Sequence, residues 1–306
     1  MIFNQELQIR RCIELILRGE NHREILDDQI TRMFLVDAVE MLSEVAIRST
    51  DKESVDLDWY KKSFIEDEVK KERQAAHGGT SIKSISNKRK TTKKSVVLEE
   101  SLRSFEAVRN IVNELSDTEL SLKLSLERRK VKTSMNLNES LVLINALALR
   151  RNQIRGGRWS SFGKRVEQPL LIAMCRIFKV PPANYLYGER KGLREVDFSL
   201  LDQSGNRLKC EVKLMGRGNP EGADSLYARD TNVFIASTLS KTNIQQLDNE
   251  GREWVELRQP FGFLRFGDIL KRLQIPHSPV TVRGTELEKL IHLSVTDIEI
   301  DDTEFD

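Results

Sequence analysis

The sequence predicts an α/β protein with a helical amino-terminal region, and two patterns support this class. In the first third of the chain, apolar residues recur every three or four positions, which is the spacing of amphipathic helices. From about Ser161 onward, the patterns follow the order helix, two or three strands, helix, strand, helix. We therefore expect a sheet flanked by helices, preceded by a largely helical region.

The composition favours a cytoplasmic protein with no membrane partner. The 306 residues can bury one large core or two modest ones. The cysteines, Cys12, Cys175 and Cys210, are far apart and lack CxxC or paired-histidine spacing, which argues for a reducing compartment and against a zinc site. The amino terminus has too many charges for a signal peptide, and no stretch approaches the roughly 20 apolar residues of a membrane span.

Changes in pattern divide the chain into three predicted regions. Residues 1–135 form a helical amino-terminal region, residues 136–285 an α/β domain of catalytic size, and residues 286–306 an acidic carboxy-terminal tail. The second region begins with Asn136 followed three residues later by Glu139, which is the spacing of a capping box at a helix start.

A helix-turn-helix-like element is predicted near residues 65–91. A charged helical pattern is followed by His-Gly-Gly and by a second helical pattern that Thr80 is placed to cap. Gly79 and Ile85 stand where such an element needs a turn glycine and a core aliphatic residue, whereas Lys88 stands where another aliphatic residue is expected. Two interpretations stay open: a DNA-reading element, or a solvated helical hairpin with a basic loop.

Charge is unevenly distributed along the chain although the formal net charge is only +2. Basic residues crowd the stretch from 70 to 94, while residues 296–306 carry no base. This segregation indicates a polyanionic partner. The candidate DNA contacts in the basic stretch are Lys83, Lys88 and Arg89.

A second basic segment, NQIRGGRWSSFGKR, follows a predicted helix that ends near Arg151. Its two glycines predict a flexible loop, which is followed by a helix over about residues 161–178. A basic loop beside a tryptophan suits contact with a phosphate backbone, and its candidate residues are Arg155, Arg158 and Lys164. An ordinary interdomain linker is the alternative interpretation.

The segment REVDFSLLDQSGNRLKCEVK predicts a hairpin of two strands. Apolar residues alternate with Glu195, Asp197 and Ser199 in the first strand, and with Glu211 and Lys213 in the second. An alternation with a period of two is typical of half-buried strands. The acidic residues and the lysine are therefore expected on one face of the sheet.

The turn of this hairpin fixes which residues oppose each other. Opposed residues point to the same side of a sheet, so the turn must contain an odd number of residues. Residues 203–205 form a natural three-residue loop with Gly205 at its left-handed position. Asp202 then pairs with Asn206, and Asp197 stands opposite Glu211.

Two opposed carboxylates have no evident role in folding, because like charges in this position weaken a sheet by up to about 1 kcal/mol. A Mg²⁺ ion between Asp197 and Glu211 would explain them, and Lys213 on the same face could orient or deprotonate a water. This set suits metal-assisted hydrolysis of a phosphodiester. Glu195 shares the face and is a rival ligand. The alternative is a surface hairpin in which Lys213 screens the acids.

The same residues resemble a known motif. Asp197 followed by Glu211-Val212-Lys213 resembles the PD-(D/E)XK nuclease motif, with Val196 where that motif often has proline. Glu167 resembles the acidic residue that the preceding helix of this core often supplies. Three stretches, IRGGRWSSFGKRVEQPLL, LREVDF and CEVKLMGRGNPEGADSLYARDT, resemble a group of type II restriction endonucleases typified by CfrBI.

The resemblance implies a PD-(D/E)XK nuclease core, that is, a mixed central sheet flanked by helices. It also implies Mg²⁺-dependent cleavage of double-stranded DNA at a short palindromic sequence, with a cognate methyltransferase in the cell. Asp197 and Glu211 would be metal ligands, Lys213 would position or activate water, and Glu167 would be an auxiliary acid. A palindromic target calls for a two-fold homodimer.

The loop after the second strand and three rival functions complete the expectations. Arg217 and Asn219 are candidates for contact with phosphates or base edges. A structure-specific repair nuclease on the same core is one rival. A non-catalytic regulator that binds DNA through the helix-turn-helix-like element is the second rival, but it leaves Asp197, Glu211 and Lys213 unexplained. A plain interaction protein is the third, and in that interpretation the basic loops serve only solubility.

Overall fold

The computed structural model describes residues 5–50, 54–116, 124–128, 131–187, 198–214 and 231–298. The chain divides into two compact units. We call Met1–Asp27 with Trp159–Asp306 the sheet unit, and Asp28–Arg158 the helical unit. Among the described residues, no helix combines the length and the apolar character needed to cross a membrane.

The described elements follow in chain order. The helices are α1 (Gln5–Arg18), α2 (Arg23–Thr50), α3 (Leu57–Phe64), α4 (Lys71–His77), α5 (Ile82–Arg89), α6 (Lys94–Ser116), α7 (Leu137–Ile177), α8 (Lys241–Asn249), α9 (Arg265–Arg272) and α10 (Thr285–Thr296). The strands are β1 (Leu124–Arg128), β2 (Val131–Met135), β3 (Tyr185–Tyr187), β4 (Phe198–Leu201), β5 (Arg207–Lys213), β6 (Val233–Ala236) and β7 (Glu253–Glu256).

The helical unit is built around an aromatic cluster. Trp59, Tyr60 and Phe64 of α3 are buried, and they pack with Phe105 of α6 and with apolar residues of α2 and α7. Tyr60 and Phe105 stack with their ring centroids 6.2 Å apart. This cluster buries apolar residues of α2, α3, α6 and α7, as expected where amphipathic helices pack together.

Two short helices lie in the region where the sequence predicted a helix-turn-helix-like element, and their bounds differ from those expected. Two short helices, α4 and α5, are joined by a turn in which Gly79 has a φ of +70°. The charged pattern from residue 65 becomes helical only at Lys71, because residues 65–70 form turns. The cap of α5 is Ser81 rather than Thr80, since the Ser81 side chain accepts a hydrogen bond from the Ser84 backbone.

Helix α7 corrects the prediction of a basic loop. The segment NQIRGGRWSSFGKR, expected to be flexible, lies within the continuous helix Leu137–Ile177. The helix begins with the predicted capping box: the Asn136 amide donates to Glu139, and the Glu139 amide donates to the Asn136 side chain. Glycine lowers helix propensity by only about 1 kcal/mol, a cost that the packing of the flanking turns offsets.

The sheet unit contains a five-stranded mixed sheet in the order β3-β4-β5-β6-β7. The pairs β3-β4 and β4-β5 are antiparallel, while β5-β6 and β6-β7 are parallel. Helices α1, α7, α9 and α10 contribute buried apolar residues to this unit, including Val166, Leu170 and Ile177 of α7. The α/β class with a mixed sheet flanked by helices is thereby confirmed.

The order of strands and later helices agrees with the sequence except at two places, one before α7 and one after it. The predicted strand, helix, strand and helix between residues 232 and 273 appear as β6, α8, β7 and α9. Strand β3 was not resolved from the sequence, because three residues are too few for a clear alternation. The hairpin of β1 and β2 was also missed.

The carboxy-terminal region contains a packed helix where the sequence predicted the start of a tail. Helix α10 spans Thr285–Thr296 and buries Leu287, Ile291 and Val295. Arg10 of α1 donates hydrogen bonds to the carbonyl of Val295, near the end of α10, and to the carbonyl of Ile298, just after the helix. The residues after 298 lie outside the described part of the chain.

Candidate active site

The predicted hairpin exists with the predicted register. Strands β4 and β5 pair antiparallel, with Phe198 opposite Cys210 and Leu201 opposite Arg207. The Asp202 amide donates to the carbonyl of Asn206 at 3.1 Å. Gly205 has a φ of +81°, so it occupies the left-handed position of the loop as expected.

Two residues of the predicted acidic face lie outside the described part of the chain. These are Asp197, which immediately precedes the first residue of β4, and Glu195. Arg217 and Asn219, in the loop after β5, lie outside it as well. The roles of these four residues therefore remain predictions.

The expectation that the strands are half-buried is corrected at Ser199 and Glu211, where the polar face is covered as well, while Arg207 of β5 is exposed. Ser199 is buried together with its apolar neighbours on β4, and Glu211 is buried on β5. The Ser199 hydroxyl accepts a hydrogen bond from Arg207 Nε at 2.9 Å. Strand β5 lies in the middle of the sheet, between β4 and β6, where both faces pack against other elements.

Glu211 is the buried acid of this strand, with only 3% of its surface exposed. Its Oε1 lies 3.2 Å from the Nζ of Lys213, two residues later on the same face. Its Oε2 accepts a hydrogen bond of 3.2 Å from the Thr231 hydroxyl. Strand β6 positions Thr231, because it begins two residues after this threonine and pairs parallel with β5.

The charge of Glu211 explains why its neighbours are polar. An ionised carboxylate that is removed from water without partners is strongly destabilising, so buried acids are paired and hydrogen-bonded. Lys213 supplies the opposite charge, and its side chain keeps 20% exposure. The pair is therefore a buried carboxylate with an ammonium group that still reaches water.

The chemistry of these donors suits a hard divalent cation. Mg²⁺ binds through one or two carboxylates and completes its coordination with water and substrate phosphates. Glu211 offers a carboxylate held in place by Thr231, and the lysine beside it is a candidate for a proton-transfer role. Within the described residues, no group of three or more His, Cys, Asp or Glu side chains is assembled for a metal.

Thr231 is the site residue that the sequence did not reveal. It lies just before β6, and its hydroxyl is buried against Glu211. A single threonine near the start of a strand has no distinguishing pattern. Only the parallel pairing of β5 with β6, which brings together residues 20 positions apart, identifies it.

The remaining candidate residues that lie within the described elements are on two helices, α7 and α5. Glu167 is on α7 and is partly buried. Arg155 is exposed on α7, and Arg158 and Lys164 belong to the same helix. Lys83, Lys88 and Arg89 are on α5 in the helical unit.

Comparison with known proteins identifies the family. A model of the CfrBI restriction endonuclease family matches residues 6–244, which is most of the chain and includes β4, β5 and the Glu211–Lys213 pair. The curated proteins and the solved structures compared with the chain gave no match. The match confirms the resemblance inferred from the motifs. The chain belongs to the CfrBI restriction endonuclease family.

Proposed function

We propose that the protein is a type II restriction endonuclease that cleaves double-stranded DNA at a short palindromic sequence in a Mg²⁺-dependent reaction. The observation that carries this proposal is the pair of Glu211 and Lys213 on the central strand β5. A buried acid with a lysine two residues later, in a chain of a restriction endonuclease family, supports a PD-(D/E)XK site.

Asp197 is proposed as the second acid of the site. The observed register pairs Phe198 with Cys210; in the sequence, Asp197 immediately precedes Phe198 and Glu211 immediately follows Cys210. This continuity supports a role for Asp197 beside Glu211 and ranks it above Glu195, the rival ligand. Glu167 of α7 is proposed as an auxiliary acid, which the family resemblance supports.

Each residue has a distinct task in the proposed reaction. Glu211 and Asp197 would hold the metal, and Thr231 would fix the orientation of the Glu211 carboxylate through its hydrogen bond. Lys213 would orient the attacking water, and in its neutral amine form it would accept the proton that this water loses. When bound, Mg²⁺ would supply Lewis-acid polarisation of the scissile phosphate.

The fold supports this assignment. Strand β5 carries the candidate residues near its carboxyl end, where it pairs parallel with β6, and helices contribute to the core of the same unit. A mixed sheet flanked by helices is the architecture expected of a PD-(D/E)XK core. The register, which places Glu211 opposite Phe234 of β6, keeps the acid in the interior of the sheet rather than on an edge.

The assembly follows from the target. A palindromic sequence presents the same phosphodiester on each strand, so two copies of the site related by a two-fold axis cut both strands. We therefore include a homodimer in the proposal. A methyltransferase that modifies the same sequence would protect the DNA of the cell.

The test is incubation of the purified protein with a long mixed-sequence DNA in Mg²⁺ and in EDTA, with the products resolved on a gel. The proposal predicts discrete fragments in Mg²⁺ and intact DNA in EDTA. Sequencing of the fragment ends should then give one short palindrome. A smear of random ends would point to a nuclease without sequence preference, and cutting confined to branched or damaged DNA would point to the repair enzyme.

A further inference from the structure

Helix α5 presents a polar, basic face away from the core of the helical unit. Lys83, Ser84 and Asn87 are exposed, whereas Ile85 on the opposite face is buried. At 3.6 residues per turn, the exposed three lie within about a third of the helix circumference. They occupy the second, third and sixth positions of an eight-residue helix.

The core side of the same helix is held rigidly. Ile85 packs with Ala75 of α4 and Val97 of α6 in a small buried cluster. Ser101 of α6 donates a hydrogen bond to the carbonyl of Gln74, which ties α4 to α6. A Cβ on Gly78 would lie 2.7 Å from the Cα of Ser101, so the turn before α5 depends on glycine for its close approach to α6.

The carboxyl end of α5 is attached to α6 by ion pairs. Arg89 lies 2.5 Å from an oxygen of Glu100, and Lys88 lies 3.2 Å from the other oxygen. A third ion pair joins Arg89 to Glu99, with the two charged groups 3.4 Å apart. These ion pairs link the carboxyl end of α5 to α6, and Lys88, which stands where an aliphatic core residue is expected, is exposed and ion-paired.

The sequence around α5 is basic, whereas the acids Glu99 and Glu100 of α6 contact the carboxyl end of the helix. From Arg73 to Leu98 the sequence contains no acidic residue. Lys90 and Lys93, which follow α5, are exposed. A rigid helix with a polar face and flanking cations has the charge and shape that suit the major groove of DNA, which admits one α-helix.

We propose that α5 is a DNA-reading helix that enters the major groove and contacts base edges through Lys83, Ser84 and Asn87. The inference rests on the proposed function, because that function supplies DNA as the ligand. Asparagine pairs with adenine, lysine with guanine, and serine with either. Lys90 and Lys93 would contact phosphates and fix the position of the helix on the duplex.

The helix-turn-helix geometry supports this choice of ligand. Helices α4 and α5 are joined by the residues Gly78–Ser81, which is the length and composition of the turn in such elements. In these elements the amino-terminal part of the second helix contacts the bases. The exposed residues of α5 lie in that part, while the ion-paired Lys88 and Arg89 lie at its other end.

The test uses the full chain and a double variant, Lys83→Ala with Asn87→Ala. The matched control is Lys62→Ala with Asn113→Ala, which removes the same two residue types from exposed positions on α3 and α6. Duplexes bound by the wild type are selected from a randomised library, in EDTA and in Ca²⁺, so that no cleavage by Mg²⁺ interferes. Dissociation constants are then measured for an enriched duplex and for its scrambled counterpart.

The dissociation constant of the α5 variant for the enriched duplex is expected to be at least about 10-fold higher than that of the wild type. The ratio of its dissociation constants for the scrambled and the enriched duplex should also be smaller than in the wild type. The control should keep both constants close to those of the wild type. Equal midpoints of thermal unfolding show that both variants fold. Unchanged binding by the α5 variant, an equal loss on both duplexes, or no duplex binding by the wild type would each overturn the inference.

The two proposals can fail separately. A protein that binds DNA through α5 but leaves it intact in Mg²⁺ would refute the nuclease proposal and support the reading helix. A protein that cuts at one palindrome, and cuts it equally well with Lys83 and Asn87 replaced, would support the nuclease proposal and refute the reading helix.

Discussion

The Nζ of Lys213 lies 3.2 Å from the Oε1 of Glu211, two residues earlier on the same strand. Alternate residues of a strand point to the same face, so the spacing itself brings the two groups together. Glu211 is buried and Lys213 remains partly exposed, which places the ammonium group at the opening to solvent. The arrangement compensates a buried charge and also leaves a proton-carrying group accessible.

Replacing Lys213 with methionine is expected to lower the rate of DNA cleavage by about 10²-fold or more, because a positioned proton-transfer group contributes about this much. DNA affinity should change little. Single-turnover cleavage and equilibrium binding of the same duplex measure the two effects. Arginine at this position should fail to restore the rate, since its guanidinium does not deprotonate in proteins.

The matched control for this change is Lys209→Met. Lys209 lies on the same strand and the same face, four residues before Lys213. Its replacement should leave the cleavage rate close to that of the wild type. Equal losses in the two variants would indicate a general effect of basic charge on the strand and would contradict a specific role for Lys213.

Replacing Thr231 with valine should lower cleavage by about 10-fold at limiting Mg²⁺, because a hydrogen bond to a charged group contributes about 1.5–3 kcal/mol. The change keeps the shape of the side chain and removes only the donor to Glu211. The Mg²⁺ dependence of the rate is the measurement. Thr238→Val is the control, since the buried Thr238 hydroxyl makes no hydrogen bond within the described part of the chain.

Replacing Gly156 with alanine should stabilise the protein by about 0.5–1 kcal/mol, because alanine favours a helix interior over glycine. Gly156 lies within α7, and among the described residues a Cβ there would meet no atom within 4 Å apart from the adjacent backbone of the helix. Denaturant unfolding measures the change. Gly205→Ala should have the opposite sign, since Gly205 has a φ of +81°. A neutral Gly156→Ala would favour the flexible loop that the sequence predicted.

The free energy of unfolding should decrease below about pH 6.5 because of His77. Burial, together with Arg73 and Arg150, lowers the pKa of His77 to about 3. Between these pH values the unfolded chain binds a proton at His77 that the folded chain does not bind. The contribution of neutral His77 to the free energy of unfolding is therefore fully present above pH 6.5 and is lost as the pH falls toward 3. The loss between pH 7.5 and pH 5 should be about 1–2 kcal/mol.

His77→Phe should reduce this pH dependence, and Tyr60→Phe is the control. The Tyr60 hydroxyl donates to the His77 carbonyl at 3.1 Å and lies 3.2 Å from its Nδ1. Both variants lose the contact with Nδ1, but only His77→Phe loses the imidazole. Equal pH dependence of unfolding in the wild type and in His77→Phe would contradict the assignment.

The hairpin could be predicted from the sequence because its determinants are local. The alternation of apolar residues predicted the two strands. Gly205 and Asp202 predicted a three-residue loop between them and therefore the register of the pairing. The capping box of α7 was equally local, since Asn136 and Glu139 are three residues apart. Signals of this kind are contained within a few residues and do not depend on tertiary packing.

Tertiary packing decided the features that the sequence did not reveal. The glycines near residue 156 predicted a loop, but the segment is helical because the helical turns on both sides of it belong to the same helix, α7. The burial of Ser199 and Glu211 depends on elements that cover the second face of the sheet. Thr231 joins the site only through the pairing of β5 with β6, a contact between distant parts of the chain.

The most direct test of the central claim compares the wild type with the variants Asp197→Asn and Glu211→Gln. The substrate is a duplex that contains the mapped cleavage site, and the rate of strand scission is measured across a Mg²⁺ titration. The account predicts discrete, Mg²⁺-dependent cutting by the wild type and a loss of about 10²-fold or more in each variant, with DNA binding retained. Cleavage at the wild-type rate by Glu211→Gln would contradict the account, because it would remove the buried acid of β5 from the reaction.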